Sequence, residues 1–264
     1  MTIFEAIILG IIQGLTEFIP ISSSGHVLLA QNVFLGASDH LFLEYINIGT
    51  VAALIIYFWP RLWQIVVSAF TKSDWRLVRN LVVSAIPAGV IGLTFAGAIE
   101  TNRFFGSPWT VAATLLIFGV VMVVLEKIPR LPQVADGSSM GSGRAAIIGF
   151  AQVLALVPGT SRSASTIVAG RLSGLSPAVA AEYSFLLSIP IMLGLIAKLL
   201  VKSGDRAYLF DHLPAVFWGN LMALVFGLLS VKFLMGYLKN HSLQAFGWYR
   251  IGLAVLVALT LTLG

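Results

Sequence analysis

One short stretch, Gln13 to His26, reads Gln-Gly-Leu-Thr-Glu-Phe-Ile-Pro-Ile-Ser-Ser-Ser-Gly-His. It sets a carboxylate, an amide, three consecutive hydroxyls and an imidazole in otherwise apolar sequence. An ionisable group in such a setting is expensive and points to function. Gln13 and Glu17 are four apart, so they share one face of a helix. Pro20 ends that helix, because it lacks an N–H and disfavours helical geometry at Ile19. Ser22, Ser23 and Ser24 can each cap a new helix, whose free N–H groups form a site for phosphate. Ser23 and His26 are three apart and share a face, so a hydroxyl cradle and a base converge on the break.

A second stretch, Pro158 to Thr166, reads Pro-Gly-Thr-Ser-Arg-Ser-Ala-Ser-Thr. Thr160, Ser161, Ser163, Ser165 and Thr166 bring hydroxyls to another helix start. Arg162 brings a planar fork suited to phosphate, and it is the only basic residue expected deep in the membrane. If the two stretches meet, Arg162 opposes Glu17 and His26 lies beside both. That pocket suits a phosphate or diphosphate carrying a divalent cation.

The elements that position these residues are membrane helices. The chain has 264 residues, 58% hydrophobic and only 10% charged, where a soluble domain carries about 25% charged residues. Mean hydropathy is +0.95. The apolar runs are long and lack strand alternation, so helices are the spanning structure expected. Cysteine is absent, which excludes disulfides and thiolate metal sites. The basic residues are scattered through short loops, which argues against a nucleic-acid partner. The first residues lack a positive n-region, so the first helix reads as part of the mature protein.

Helices are expected at 3–19, 22–36, 41–59, 77–98, 109–126, 144–157, 161–173, 176–200, 213–236 and 247–263. Segments 22–36, 144–157 and 161–173 are too short to cross alone. With 3–19 they form two re-entrant hairpins, broken at Pro20 and Pro158-Gly159, and the other six segments are spans. Glu44-Tyr45 recurs as Glu182-Tyr183, and Ser23 as Ser161, both 138 residues on. Gly10 and Gln13 recur as Gly149 and Gln152 at 139. The expectation is an all-α polytopic membrane protein of about ten helices, one integral domain over 1–264, built from two repeats (about 1–128 and 142–264). Each repeat holds a broken-helix hairpin and three spans. Three is odd, so the repeats are inverted and the site lies at the midplane between them. Gly89, Gly92, Gly97, Gly170 and Gly174 are expected to permit close helix packing. His40, His212 and His241 fall in expected loops.

Basic residues set the orientation. Arg61, Lys72, Arg76, Arg79, Lys127, Arg130, Arg144, Arg171, Lys232, Lys239 and Arg250 gather on one side, expected to be cytoplasmic. Arg103, Lys198, Lys202 and Arg206 gather on the other, with both termini.

Gln13-x-x-x-Glu17, Pro20-x-Ser22-Ser23-Ser24-Gly25-His26 and Pro158-Gly159-Thr160-Ser161-Arg162-Ser163 resemble the signature motifs of the undecaprenyl-diphosphate phosphatase family, the bacitracin-resistance-type membrane phosphatases. The resemblance covers nearly the whole chain. It implies a phosphoric anhydride hydrolase that converts undecaprenyl diphosphate to undecaprenyl phosphate and inorganic phosphate. That reaction recycles the lipid carrier for peptidoglycan and other wall polymers. It implies a multi-pass protein of the bacterial cytoplasmic membrane whose site opens to the outer, periplasmic face. It implies a divalent cation, magnesium or calcium, and a polyprenyl diphosphate lipid as partner, with a homodimer one assembly open to the family.

By the same resemblance Glu17 matches the acidic position associated with the metal, and Gln13 a position where Glu or Gln occurs. Ser23 and His26 match the nucleophile and acid/base pair, without deciding which attacks phosphorus. Ser161 and Arg162 match the phosphate-binding serine and arginine, and Thr166 a pocket hydroxyl. Ser22, Ser24 and Ser163 complete the expected substrate-binding set. Ala164 departs from the family's usual glycine. The rival reading is a polyprenyl-phosphate transporter or flippase, since inverted repeats and broken helices are also transporter features.

Overall fold

The computed structural model describes residues 1–30, 39–128 and 134–263. The end of expected segment 22–36, and Arg130, lie outside the described residues. Among them the chain runs α1 (Ile3–Glu17), α2 (Ser23–Ala30), α3 (His40–Tyr45), α4 (Asn47–Tyr57), α5 (Trp59–Thr71), α6 (Arg76–Thr101) and α7 (Arg103–Gly106). It continues as α8 (Pro108–Leu125), α9 (Ser142–Val153), α10 (Arg162–Leu172), α11 (Pro177–Val201), α12 (Ser203–Asp211), α13 (Leu213–Tyr237) and α14 (Gln244–Leu263).

Six stretches are long and apolar enough to cross a bilayer: His40–Tyr57, Arg76–Phe95, Pro108–Leu125, Pro177–Val201, Leu213–Tyr237 and Gln244–Thr262. They coincide with the six expected spans, and the chain is a multi-pass membrane protein. The helix count exceeds ten for local reasons. Segment 41–59 divides at Ile46 into α3 and α4. Pro60 does not stop the chain there; it sits in the first turn of α5, where a missing N–H costs nothing. The α5 helix is amphipathic, with Trp63, Val66 and Phe70 exposed along one side. Arg61 near its start ties it to Glu182 of α11 at 2.8 Å. Short α7 and α12 complete two connections.

Without a hydrophobic driving force between helices in lipid, close backbone approach carries much of the packing. Four helix pairs show it. A Cβ on Gly10 of α1 would lie 2.2 Å from the Gly219 carbonyl oxygen of α13, and one on Gly49 of α4 2.3 Å from that of Asn220. A Cβ on Gly149 of α9 would meet the Ser84 oxygen of α6 at 2.6 Å, and one on Gly119 of α8 the Gly247 oxygen of α14 at 2.9 Å. The glycines expected to do this differ. Gly89 has open space around it, Gly92 touches only the tip of Leu156 and Gly174 serves a turn at φ +91°, while Gly170 does pack on Ala180. The side-chain environment of Gly97 lies outside the described residues.

Between α8 and α9 the chain runs through a polar loop. The Asp136 carboxylate accepts from Ser138 and Ser139, backbone and hydroxyl alike. Burial pushes that acid up, but the hydrogen bonds outweigh it and hold the group below the usual carboxylate range.

Candidate active site

Both breaks have the same local construction. After α1 the chain turns through Ile19 to Ile21, and Ser22 adopts a positive φ of 75°. Its hydroxyl accepts from the Gly25 N–H at 3.3 Å and lies 3.1 Å from the Ser24 hydroxyl. After α9 comes one turn of 3-10 helix, Leu154–Leu156, then Pro158 and Gly159. Ser161 adopts φ 71°, caps the Ala164 N–H at 3.3 Å and lies 3.0 Å from the Ser163 hydroxyl. Ser22 and Ser161 thus share a positive φ and a capping hydroxyl. The second break holds one more residue between its proline and its capping serine than the first.

The breaks touch. The Gly159 N–H donates to Ser24 Oγ at 3.1 Å. Gly159 is at φ +87°, and a Cβ there would lie 2.2 Å from Thr114 Oγ1, so only glycine fits. Thr114 of α8 donates to the Pro158 carbonyl at 2.8 Å. The expectation that Arg162 alone lies deep is corrected by Arg250 of α14. It was expected near the cytoplasmic end of segment 247–263, yet it is fully buried. Its guanidinium donates to the carbonyls of Pro20 at 3.3 Å, Gly159 at 2.8 Å, Thr160 at 3.1 Å and Thr114 at 3.3 Å. Backbone freed by two broken helices is thus paired internally, as a non-aqueous setting requires. The helix α14 starts at Gln244, three residues earlier than expected, which carries Arg250 inward.

Glu17 stands at the centre. Arg162 donates to its Oε1 at 2.6 Å. Ser23 donates to its Oε2 at 2.7 Å. Gln13 Nε2 donates to the same Oε2 at 3.0 Å and to Asn47 Oδ1 at 2.9 Å. A cavity of about 570 Å³ opens beside them. Its polar wall includes Gln13, Glu17, Ser23, Ser24, Ser161 and Arg162, together with His40, Glu44, Asn47 and Gln152. Its apolar wall includes Phe105, Ile191, Met192 and Leu195. His40 was expected in a loop; it opens α3 and faces this cavity.

Four expected site residues stand apart from the cavity wall. Ser22 is fully buried as a cap. Ser163 is buried beside Ser161. Thr166 donates to the Arg162 carbonyl at 2.8 Å and lies 2.6 Å from the Ser184 hydroxyl, so it braces α10 against α11. His26 is the largest departure. Its Nδ1 lies 2.7 Å from the Ser22 carbonyl, which can only accept, so that nitrogen carries the proton. Its Nε2 lies 2.7 Å from the Tyr249 hydroxyl, and the two rings stack at 5.6 Å. Helical spacing put Ser23 and His26 on one side of α2, but Tyr249 holds the imidazole toward α14. Ser23 instead bonds to a carboxylate, a pairing hidden by the break between them in sequence.

The donor set bears on a metal. Among the described residues no group of three or more His, Cys, Asp or Glu side chains is placed to hold an ion. The wall offers two carboxylates, Glu17 and Glu44, with amide oxygens of Gln13, Asn47 and Gln152 beside them. One or two carboxylates completed by substrate phosphates are what a magnesium-type ion uses, so these residues fit such an ion.

The family model described as bacitracin resistance protein BacA matches residues 6–256. Undecaprenyl-diphosphatase 1 of Clostridioides difficile (strain 630) is 39% identical over 97% of this chain and 95% of its own length. An undecaprenyl-diphosphatase of Desulfitobacterium hafniense is 38% identical, over 97% of this chain and 95% of its own length. Undecaprenyl-diphosphatase 2 of Pseudomonas fluorescens (strain Pf0-1) is 37% identical, over 100% and 95%.

Proposed function

We infer the function from one premise: the chain belongs to the bacitracin resistance protein BacA family. It is an undecaprenyl-diphosphatase, hydrolysing undecaprenyl diphosphate to undecaprenyl phosphate and inorganic phosphate, and it confers bacitracin resistance.

The observation that carries the mechanism is the hydrogen bond from Ser23 to Glu17 Oε2 beside Arg162. Ser23 Oγ attacks the terminal phosphorus. Its proton passes to Glu17 Oε2, to which it is already bonded. The bond from that phosphorus to the bridging oxygen breaks, and undecaprenyl phosphate leaves. Water then attacks the phosphoserine phosphorus and the P–Oγ bond breaks; Ser23 Oγ takes its proton back from Glu17, and the proton shed by the water leaves with the inorganic phosphate. Arg162 turns from Glu17 to the transferring phosphate, where its charge and the N–H groups opening α2 and α10 meet the developing negative charge. Ser24 and Ser161 line the path of the head group. His26, anchored to Ser22 and Tyr249, holds the first turn of α2 in register.

A divalent cation, magnesium or calcium, held at Glu17 with Gln13 beside it would supply further neutralisation of the diphosphate oxygens. The lipid tail lies along the apolar wall at Ile191, Met192 and Leu195.

The site faces the outer side of a bacterial cytoplasmic membrane. His40 and Phe105 lie at the end of the bundle that also holds Arg103, Lys198, Lys202 and Arg206, the side poorer in basic residues. The test is phosphate release from undecaprenyl diphosphate by purified protein in detergent, with and without chelator. Release that chelator abolishes and magnesium or calcium restores is expected. Binding of the lipid without release would favour a transporter.

A further inference from the structure

Gln152 of α9 has no task in the mechanism above. It is 3% exposed and lines the cavity, yet its Oε1 is shielded from solvent and has no hydrogen-bond partner among the described residues. Gln13, 139 residues earlier, is bonded to Glu17 and Asn47. The positions that would give Gln152 the same partners hold Leu156, 139 after Glu17, and Phe185, 138 after Asn47. Neither has a polar side-chain atom. An unpaired buried amide oxygen costs stability that leucine at the same place would not. The amide therefore serves something that enters the cavity.

We propose that Gln152 is a binding residue for the diphosphate head group, contributed by the half of the chain opposite Glu17. An amide offers two donors and an acceptor on one plane. A half-turn of the amide exchanges its two ends; the unpartnered end then presents Nε2, which donates to a non-bridging phosphate oxygen. The head group is then held from both sides, by Ser23 and Ser24 on one helix start and by Arg162 and Gln152 from the other hairpin. This inference rests on the phosphatase reading of the site.

The test uses full-length protein in detergent with Gln152→Leu and Gln152→Glu. Three quantities are read: KM for undecaprenyl diphosphate, affinity for farnesyl methylenediphosphonate, which cannot be hydrolysed at its bridge, and melting temperature. Gln152→Leu is expected to raise KM and weaken probe binding about three- to tenfold, the range of one net hydrogen bond. Its melting temperature should hold or rise, because an unpaired acceptor is gone. Gln152→Glu should raise KM further, by setting a negative charge against phosphate.

A Leu variant with parental KM and probe affinity overturns the inference, as does one whose only change is a lower melting temperature. A Glu variant with parental KM overturns it too. A parent protein that neither cleaves the substrate nor binds the probe overturns the phosphatase reading, and Gln152's role with it. A parent that does both leaves the variants to judge Gln152 alone.

Discussion

Ser23 donates its hydroxyl to Glu17 across the Pro20 break, at 2.7 Å. The two are six apart, on different helices, and the turn through Ile19–Ile21 folds one back onto the other. This makes the serine the best-placed nucleophile in the cavity. Ser23→Ala should lower kcat about a thousandfold or more, with melting temperature within a few degrees of the parent. Single-turnover assays on matched preparations check it. A Ser23→Ala protein retaining a tenth of parental turnover would move the attack elsewhere.

His26 should matter less than Ser23. Its two nitrogens are committed to the Ser22 carbonyl and the Tyr249 hydroxyl. His26→Ala should lower turnover about ten- to a hundredfold through a loosened α2, and melting temperature should fall with it. Tyr249→Phe should reproduce part of that effect. If His26→Ala matched Ser23→Ala in turnover at an unchanged melting temperature, the imidazole would have to reorient and act in the chemistry.

The difference between Ser23 and His26 illustrates what the sequence could and could not show. Local features were legible: Pro20 and Pro158-Gly159 as breaks, the six spans, and Glu17 and Arg162 as charges set in apolar sequence beside those breaks. Residue type and spacing encode these directly. Partners supplied from distant helices were not legible. Tyr249 is 223 residues from His26, and no periodicity in α2 announces it. Arg250 misled for a different reason. It stands near a helix start in sequence, and depth depends on where the helix begins. Gln244 and not Gly247 opens α14, so a charge expected at the cytoplasmic end of the last span lies inside the bundle.

Arg250 should be a stability residue first. Its charge is met by carbonyl dipoles from both breaks and from α8, and its guanidinium lies 5.6 Å from the Phe118 ring. Arg250→Met removes donors that satisfy buried carbonyls. The cost is expected to reach about 3 kcal/mol or more, since hydrogen bonds to a charged group contribute roughly 1.5–3 kcal/mol each. Arg250→Lys should recover only part, because one ammonium cannot reach carbonyls on three elements as a fork does. Melting in detergent is the measurement. A Met variant as stable as the parent would contradict the strut.

Two glycines make a matched pair. Gly159→Ala forces a methyl to within 2.2 Å of Thr114 Oγ1 at a φ that L residues rarely adopt. The break should distort, with activity lost and stability down by about 2 kcal/mol or more. Gly89→Ala, inside α6 with nothing within 4 Å, should be neutral or stabilising by up to about 1 kcal/mol. Equal effects at the two positions would mean that the second break tolerates a different backbone.

Arg162 decides whether the Glu17 pair is a strut or a resting state. The pair is partly buried, with side chains 18% and 12% exposed. Removing one partner leaves a shielded charge alone, so Glu17→Gln should lower melting temperature as well as turnover. Arg162→Lys keeps the charge and loses the planar fork. If Arg162 only pairs with Glu17, lysine serves almost as well, since a single N–H meets Oε1. If Arg162 turns to the phosphate, its fork spans two oxygens there, and lysine forfeits one charge-assisted bond. Taking that bond as about 1.5–3 kcal/mol gives a loss of roughly tenfold to a hundredfold in turnover. Melting temperature should hardly move. Turnover and melting are read on the same preparation. A lysine variant with parental turnover, or one inactive only because it unfolds, would leave the phosphate to the helix starts and assign Arg162 to structure.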